Sequence, residues 1–311
     1  MKCPGRVRHQ ARQGTEGVAL LLVLWVIMVL SLMIAGFAFT MHVETEVASF
    51  SRKQLKAEML ARSGIELARM ELMLDLRSAT KGGFDALSQP WATNDLYVAN
   101  ELGEGTIDVK VIDEESRVPI NRASREQLQR LMEAVGLETF DADVITDSIL
   151  DWIDGDDLHL LNGAESDYYL SLSPPYRAKN APLDRVEELL LIRGVTPEIF
   201  NGAPATEGED ARPGLAGFFT TLSSGQVNVN TASAQVLEAW LGLSEAQVQA
   251  AITRRDGADG ILGTEDDQPF RSVDEFLSMI GALPQTEQQQ VRQLVSVNSQ
   301  YFTVRSTGQV A

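Results

Sequence analysis

Thr15-Glu-Gly17-Val18-Ala-Leu-Leu-Leu22-Val-Leu-Trp25 opens an uncharged apolar run that continues to Phe39, and it follows directly on a leader carrying Lys2, Arg6, Arg8 and Arg12 against the single acid Glu16. At about 1.5 Å per residue the run is long enough to cross a hydrocarbon core of roughly 30 Å as a helix. Basic residues beside a span favour retention on the cytoplasmic side, so everything after residue 40 is expected across the inner membrane. Two ordinary readings compete with anything more specific. One is a plain uncleaved anchor. The other is a secretory signal, whose apolar segment is usually about 7 to 15 residues and ends in a small-x-small cut site, which Gly36-Phe37-Ala38 imitates.

The helical pattern does not stop at the span. No Pro occurs from Glu44 to Leu76, and Met59, Ser63, Leu67, Met70 and Leu74 recur at spacings of three and four, with Glu58, Arg62 and Arg69 on the other side. Joined to the span, this predicts one helix approaching 60 residues, with Met59 through Leu74 as its core face and Gly82-Gly83 and Pro90 ending it. Beyond it, Ile107, Val109 and Val111 alternate with Asp108 and Lys110 in a half-buried strand over 105–113. Further short strands are predicted at 117–121, 226–230 and 301–305, so a long helical insertion separates the sheet elements.

That insertion contains an internal repeat. Ile120-Asn-Arg-Ala-Ser124 and Leu128 match Val229-Asn-Thr-Ala-Ser233 and Leu237. Pro182-Leu-Asp-Arg-Val186 to Leu190, then Gly194 and Pro197, match Pro269-Phe-Arg-Ser-Val273 to Leu277, then Gly281 and Pro284. Ser124 and Ser233 are natural N-caps, and Gly194 and Gly281 are natural helix stops. The repeat resembles helix-hairpin-helix DNA-binding domains, whose units begin with similar Asn-Thr-Ala segments. Those domains hold phosphate on a Gly-apolar-Gly hairpin supported by Lys and Arg, whereas Val135-Gly-Leu137 and Leu241-Gly-Leu-Ser244 each offer one Gly.

Charge weighs the same way. The net charge is −18, and removal of the leader, which carries four bases and one acid, leaves −21. Such a surface repels nucleic acid and anionic lipid. The single cysteine, Cys3, is in the leader, so no disulfide framework is available to a mature chain. His9, His42 and His159 form no zinc pattern. With 44% hydrophobic residues and about 270 residues past the span, the chain has material for two domains. No nucleophile elbow or phosphate loop is present, and no enzymatic role is expected.

Two acidic loops separate the halves of each repeat, one over 151–176 and one over 256–267. Closely spaced hard oxygen ligands with Gly for tight turns suit six- to eight-coordinate Ca²⁺. The candidate ligands are Asp154, Asp156, Glu165 and Asp167 in the first loop and Asp256, Asp259, Glu265 and Asp267 in the second. A solvated acidic loop is the alternative, and neither loop fits the full EF-hand pattern.

The basic leader broken at Gly17, with the apolar run starting at once, resembles type IV prepilins and type II secretion pseudopilins. In these a prepilin peptidase cuts after the Gly and the new N-terminus is methylated. By that resemblance the cut falls between Gly17 and Val18. Leu22 then occupies the fifth mature position, where most members carry a Glu that pairs with a neighbour's amine. A carboxylate at that depth costs about 2.5 to 3.5 kcal/mol unless partnered. Its absence resembles the large K-type minor pseudopilins, which sit at a filament tip with no subunit above.

Leu22, Asp151-Trp-Ile-Asp154 through Pro175-Tyr176, and Ser224 through Ser233 carry that resemblance over nearly all of the mature length. It implies an α+β pseudopilin fold: a long N-terminal helix on a small antiparallel sheet, with a large inserted all-α domain of helix-hairpin-helix or SAM-like repeats. It also implies Ca²⁺ in the acidic loops, minor pseudopilins I and J as partners, and a single-pass inner-membrane protein with a periplasmic head. The expected divisions are leader 1–17, stem 18–80, first head segment 81–121, inserted helical domain 122–224, and second repeat with the returning head strands 225–311. A membrane-anchored DNA-uptake protein and a minor pilin or adhesin of a type IV pilus remain as other readings.

Overall fold

A computed structural model of the chain describes residues 16–79, 83–93, 105–204, 211–261, 263–264, 266–281 and 283–310. The N-terminal helix α1 (Glu16–Ala79) runs unbroken for 64 residues, on the order of 95 Å at 1.5 Å per residue. Its first half is exposed on every side, from Val18 through Phe39 and beyond. Its second half packs on β1 (Gly105–Asp113), which pairs antiparallel with the C-terminal strand β8 (Phe302–Val310). This pair is closed not by a turn but by everything from 114 to 301. Ile107, Val109 and Val111 point inward as the alternation predicts, onto Ala68, Trp91 and Phe302.

The buried face of α1 corrects the sequence reading. Ala57, Leu60, Ala61, Gly64, Leu67, Ala68 and Leu72 meet the sheet, whereas Met59, Ser63, Met70 and Leu74 are exposed. The reason is the closeness of the approach. A Cβ on Gly308 would lie 2.1 Å from the Ala57 carbonyl oxygen, and one on Gly64 would lie 2.7 Å from Val109 Cγ2. Only small side chains fit at those closest points; Leu60, Leu67 and Leu72 pack beside them, and Met59, Met70 and Leu74 lie on the open side.

The helical domain is two copies of one plan. The first opens with β2 (Val118–Pro119), continues through α2 (Arg125–Ala134), α3 (Thr139–Ile153), α4 (Ser166–Leu170) and a 3₁₀ turn over 186–191, then α5 (Pro197–Asn201) with the short pair β3 (Gly202–Ala203) and β4 (Arg212–Pro213). It closes with β5 (Phe219–Thr220), parallel to β2. The second opens with β6 (Val227–Asn228), continues through α6 (Ala234–Leu241), α7 (Glu245–Arg255), α8 (Val273–Met279) and α9 (Gln285–Leu294), and closes with β7 (Val295–Ser296), parallel to β6. The predicted strands at 117–121 and 226–230 therefore exist in shortened form, but they open the repeats and do not extend the head sheet.

The repeated residues do the same work in both copies. Asn121 donates to the Leu183 carbonyl (2.9 Å) and accepts from the Leu183 amide (2.8 Å); Asn230 does the same with Phe270 at 2.9 and 2.8 Å. Ser124 and Ser233 accept from the amides three residues on, capping α2 and α6. The copies meet where α2 crosses α6, with Gln127 Nε2 on the Trp240 carbonyl and Arg130 Nε on the Ala239 carbonyl. One continuous core runs from Val118 to Val297, so the second repeat belongs with the first and not with the head.

Head and helical domain are joined where β1 ends. Buried Glu115 accepts from the Ser224 amide through Oε1 (3.0 Å) and from the Gln300 amide through Oε2 (2.8 Å), so each oxygen holds the chain leaving one repeat. Buried Asp113 accepts from Thr231, Ser299 and Asn228. Asp85 takes the Ser299 amide (2.6 Å). Burial is the first cause that pushes Asp113 up to about 6 and Asp85 up to about 7.

Glu115→Ala leaves two part-buried amides unpaired, each costing about 1–3 kcal/mol, and Glu115→Gln, which keeps one acceptor oxygen, loses less; denaturant titration of both variants measures the difference. The raised Asp85 and Asp113 carboxyls hold protons in the folded state that the unfolded chain has released. Their contribution is therefore full below the ordinary carboxylate range and lost as pH rises through about 6 to about 7. Asp85→Asn is expected to flatten that fall in unfolding free energy measured at successive pH values in chelator.

Candidate metal centre

The last turn of α3 and the loop after it build a cluster of carboxylates. Asp151 lies buried on that turn, and Asp154 is the residue that ends the helix. An i, i+3 spacing puts both on one side. The chain then loops out and returns because α3 supplies acceptors for it. Asp151 accepts from the Leu160 amide at 3.0 and 3.1 Å, and Asp147 accepts from the amide and side chain of Asn162 while also binding Arg125 Nε (2.7 Å). At Gly163 the return passes so close that a Cβ there would displace the Asp151 carboxylate and crowd the Asp147 carbonyl oxygen at 3.1 Å. Arg193 fixes the same point by donating to the Gly163 carbonyl (3.0 Å).

This return delivers Glu165, which is 1% exposed, to Asp151 and Asp154, and one ligand atom from each of the three lies within 4.8 Å of the others. Among the described residues, neither oxygen of Glu165 has a donor. Burial first, then the charges of Asp151, Asp154, Asp157 and Asp156, push Glu165 up to about 7. Burial is also the leading cause that raises Asp151 and Asp154. Aromatic rings pack together in the same segment: Trp152 meets Tyr169 edge-on at 5.1 Å and Tyr169 stacks on Tyr176 at 5.3 Å. Three hard oxygen donors, one of them buried and unpartnered, suit a divalent cation with oxygen preference, and Ca²⁺ fits by charge and ligand type.

Of the four ligands expected in this loop, Asp154 and Glu165 converge. Asp156 and Asp167 do not: both are exposed and accept from nearby amides, those of Leu158 (2.8 Å) and Tyr168 (2.7 Å). Asp151 takes their place, and the signal for it was the i, i+3 relation to Asp154. In the second loop Asp256 is bound by Arg255 Nε (2.7 Å), Asp259 accepts from the Ile261 amide (2.8 Å), and Asp267 accepts from the Gly263 amide (2.8 Å). Glu265 lies outside the described residues. Among the described residues no group of three acidic ligands converges in that loop. At the other end of the chain, α1 runs through Gly17 and Val18 without a break, Leu22 is exposed on it, and residues 1–15 of the leader lie outside the described residues.

Comparison with known proteins bears on both domains. Two family models described as type II secretion system protein K match residues 100–203 and 227–304, the first of them a model of that protein's first domain. A type II secretion system protein K of Pseudomonas aeruginosa is 28% identical over 269 residues, covering 82% of this chain and 76% of its own. One of Klebsiella pneumoniae is 26% identical over 303 residues, covering 92% and 86%. The crystal structure of the GspK-GspI-GspJ complex from the enterotoxigenic Escherichia coli type 2 secretion system contains a chain with the same fold: TM-score 0.64, 23% identity, 85% of this chain and 89% of that one.

Glu165→Gln removes a charge that is buried without a partner in the metal-free chain. The variant is expected to melt above the wild type in chelator and to lose the upward shift that added Ca²⁺ gives the wild type, as followed by calorimetry.

Proposed function

This chain belongs to the type II secretion system protein K family, and on that premise we propose that it works as a minor pseudopilin at the tip of a pseudopilus. The observation that carries the proposal is the division of labour along α1. Its first half is apolar and exposed all round, as a single membrane span requires, and its second half buries a line of Gly and Ala under the head while an apolar side stays open. The family is one of structural secretion components, and the chain's acidic cluster is better suited to holding a cation than to catalysis.

The finer reading follows from the same layout. The stem is anchored in the inner membrane with the head and the helical domain in the periplasm, and prepilin peptidase releases the leader between Gly17 and Val18. Companion pseudopilins of the I and J kind pack against the open side of the stem, where Met59, Met70 and Met73 are exposed. Met is adaptable at such a seam. Leu22 lets the subunit enter the bundle without a carboxylate that would need an amine above it. The first acidic loop holds Ca²⁺ through Asp151, Asp154 and Glu165, which ties a long excursion to α3 in a domain that has no disulfide. The cation supplies charge balance and cross-linking there, and no chemistry is asked of it.

The intact mass of the membrane-extracted chain is expected to correspond to a start at Val18 with one added methyl group. A retained leader, or a cut near Ala38, overturns the pseudopilin reading. Met59→Glu combined with Met70→Glu is expected to reduce co-purification of the I and J companions at least tenfold with no change in melting temperature, because both side chains face solvent in the single chain.

A further inference from the structure

The carboxylate loop carries an apolar feature that neither the core nor the proposed cation site uses. In Asp156-Asp-Leu158-His-Leu160-Leu161, Leu158 is 78% exposed and Leu161 is 92% exposed. Single exposed leucines are ordinary, but two within four residues at the apex of a fixed loop are not. The loop is fixed at each step. The Leu158 amide donates to Asp156 Oδ1 (2.8 Å), the Leu160 amide to Asp151, and the Gly163 amide to the Leu160 carbonyl (3.1 Å), while Asn180 holds the Asp156 carbonyl (2.8 Å). The leucines are thus held out in water by a backbone that cannot fold them in, and binding them costs little further ordering.

We propose that Leu158 and Leu161 form a docking knob for a protein surface that offers an apolar socket rimmed by Lys and Arg. The knob supplies the apolar part of the match, and its setting supplies the charge. Asp156 and Asp157, which precede Leu158 directly in the same loop, are exposed, in a chain of net charge −18. A partner that buries the leucines must accept those carboxylates at its edge, and basic side chains do so at the rim of an interface where they also speed encounter. The same carboxylates repel an anionic lipid surface, which decides against the leucines being a membrane anchor. The proposal deepens the pseudopilin reading and rests on it for the assay. It does not need the cation, because the backbone bonds that present the knob are made by the chain itself.

The test uses the full chain in a secreting strain deleted for its own copy. Leu158→Ser with Leu161→Ser is expected to be processed, to co-purify with the companion pseudopilins and to keep the wild-type response to Ca²⁺, yet to lower exported cargo at least tenfold. Wild-type export by the double variant overturns the knob. Failure of the wild-type chain itself to restore export overturns the pseudopilin reading instead. A photoreactive benzophenone amino acid in place of Leu161 is expected to give a protein adduct that weakens with Leu158→Ser and maps to an apolar depression flanked by Lys or Arg. Adducts to lipid alone, to an acidic surface, or to nothing overturn the proposal.

Discussion

Both oxygens of one buried carboxylate, that of Glu115, are taken by backbone amides at equivalent points of the two repeats, four residues beyond β5 and four beyond β7. Because Glu115 stands immediately past β1, the same residue ties the helical domain to the head. The last residue of β1, Asp113, adds a side chain that reaches the opening of the second repeat at Asn228 and Thr231 and the approach to β8 at Ser299. Two acidic residues at the end of one strand thus bring together the exits of both repeats, the entry to one of them and the start of β8. Burying these carboxylates is costly, and the hydrogen bonds from the amides and hydroxyls that surround them offset that cost.

Much of this architecture is written locally in the sequence. The Asn-x-Ala-Ser segments announce two equivalent helix starts, and the structure gives each Asn the same two-bond clamp on the residue after a Pro. Gly194 and Gly281 adopt the positive φ of 88° and 89° that their place after a helix calls for. The strand at 105–113 is legible from its alternation. The closing strands β5 and β7 are not, since two-residue parallel pairs leave no period to detect.

The stem face and the convergence of the first loop's carboxylates both depend on contacts that periodicity and spacing do not encode. Helical periodicity finds large apolar residues, but the head approaches α1 most closely at Ala57, Ala61 and Gly64, with Leu60, Leu67 and Leu72 beside them, and Met59, Met70 and Leu74 lie on the exposed side. At the acidic loop, spacing along an extended chain favoured Asp156 and Asp167. The fold brings Asp151, which belongs to the helix, to Asp154 and Glu165, while Asp156 and Asp167 accept from nearby backbone amides. Which carboxylates meet depends on the return at Gly163, a three-dimensional fact with no local signature.

The Gly and Ala line between α1 and β8 has a mechanical consequence. With Ala57 and Ala61 against Gly308, Gly64 against Val109, and Leu60, Leu67 and Leu72 packed beside them, the head is keyed to its helix in one rotational setting. The stem then behaves as a keyed shaft. A turn of the helix in its bundle is passed to the head it carries, and the azimuth of that helix sets the direction in which the head faces.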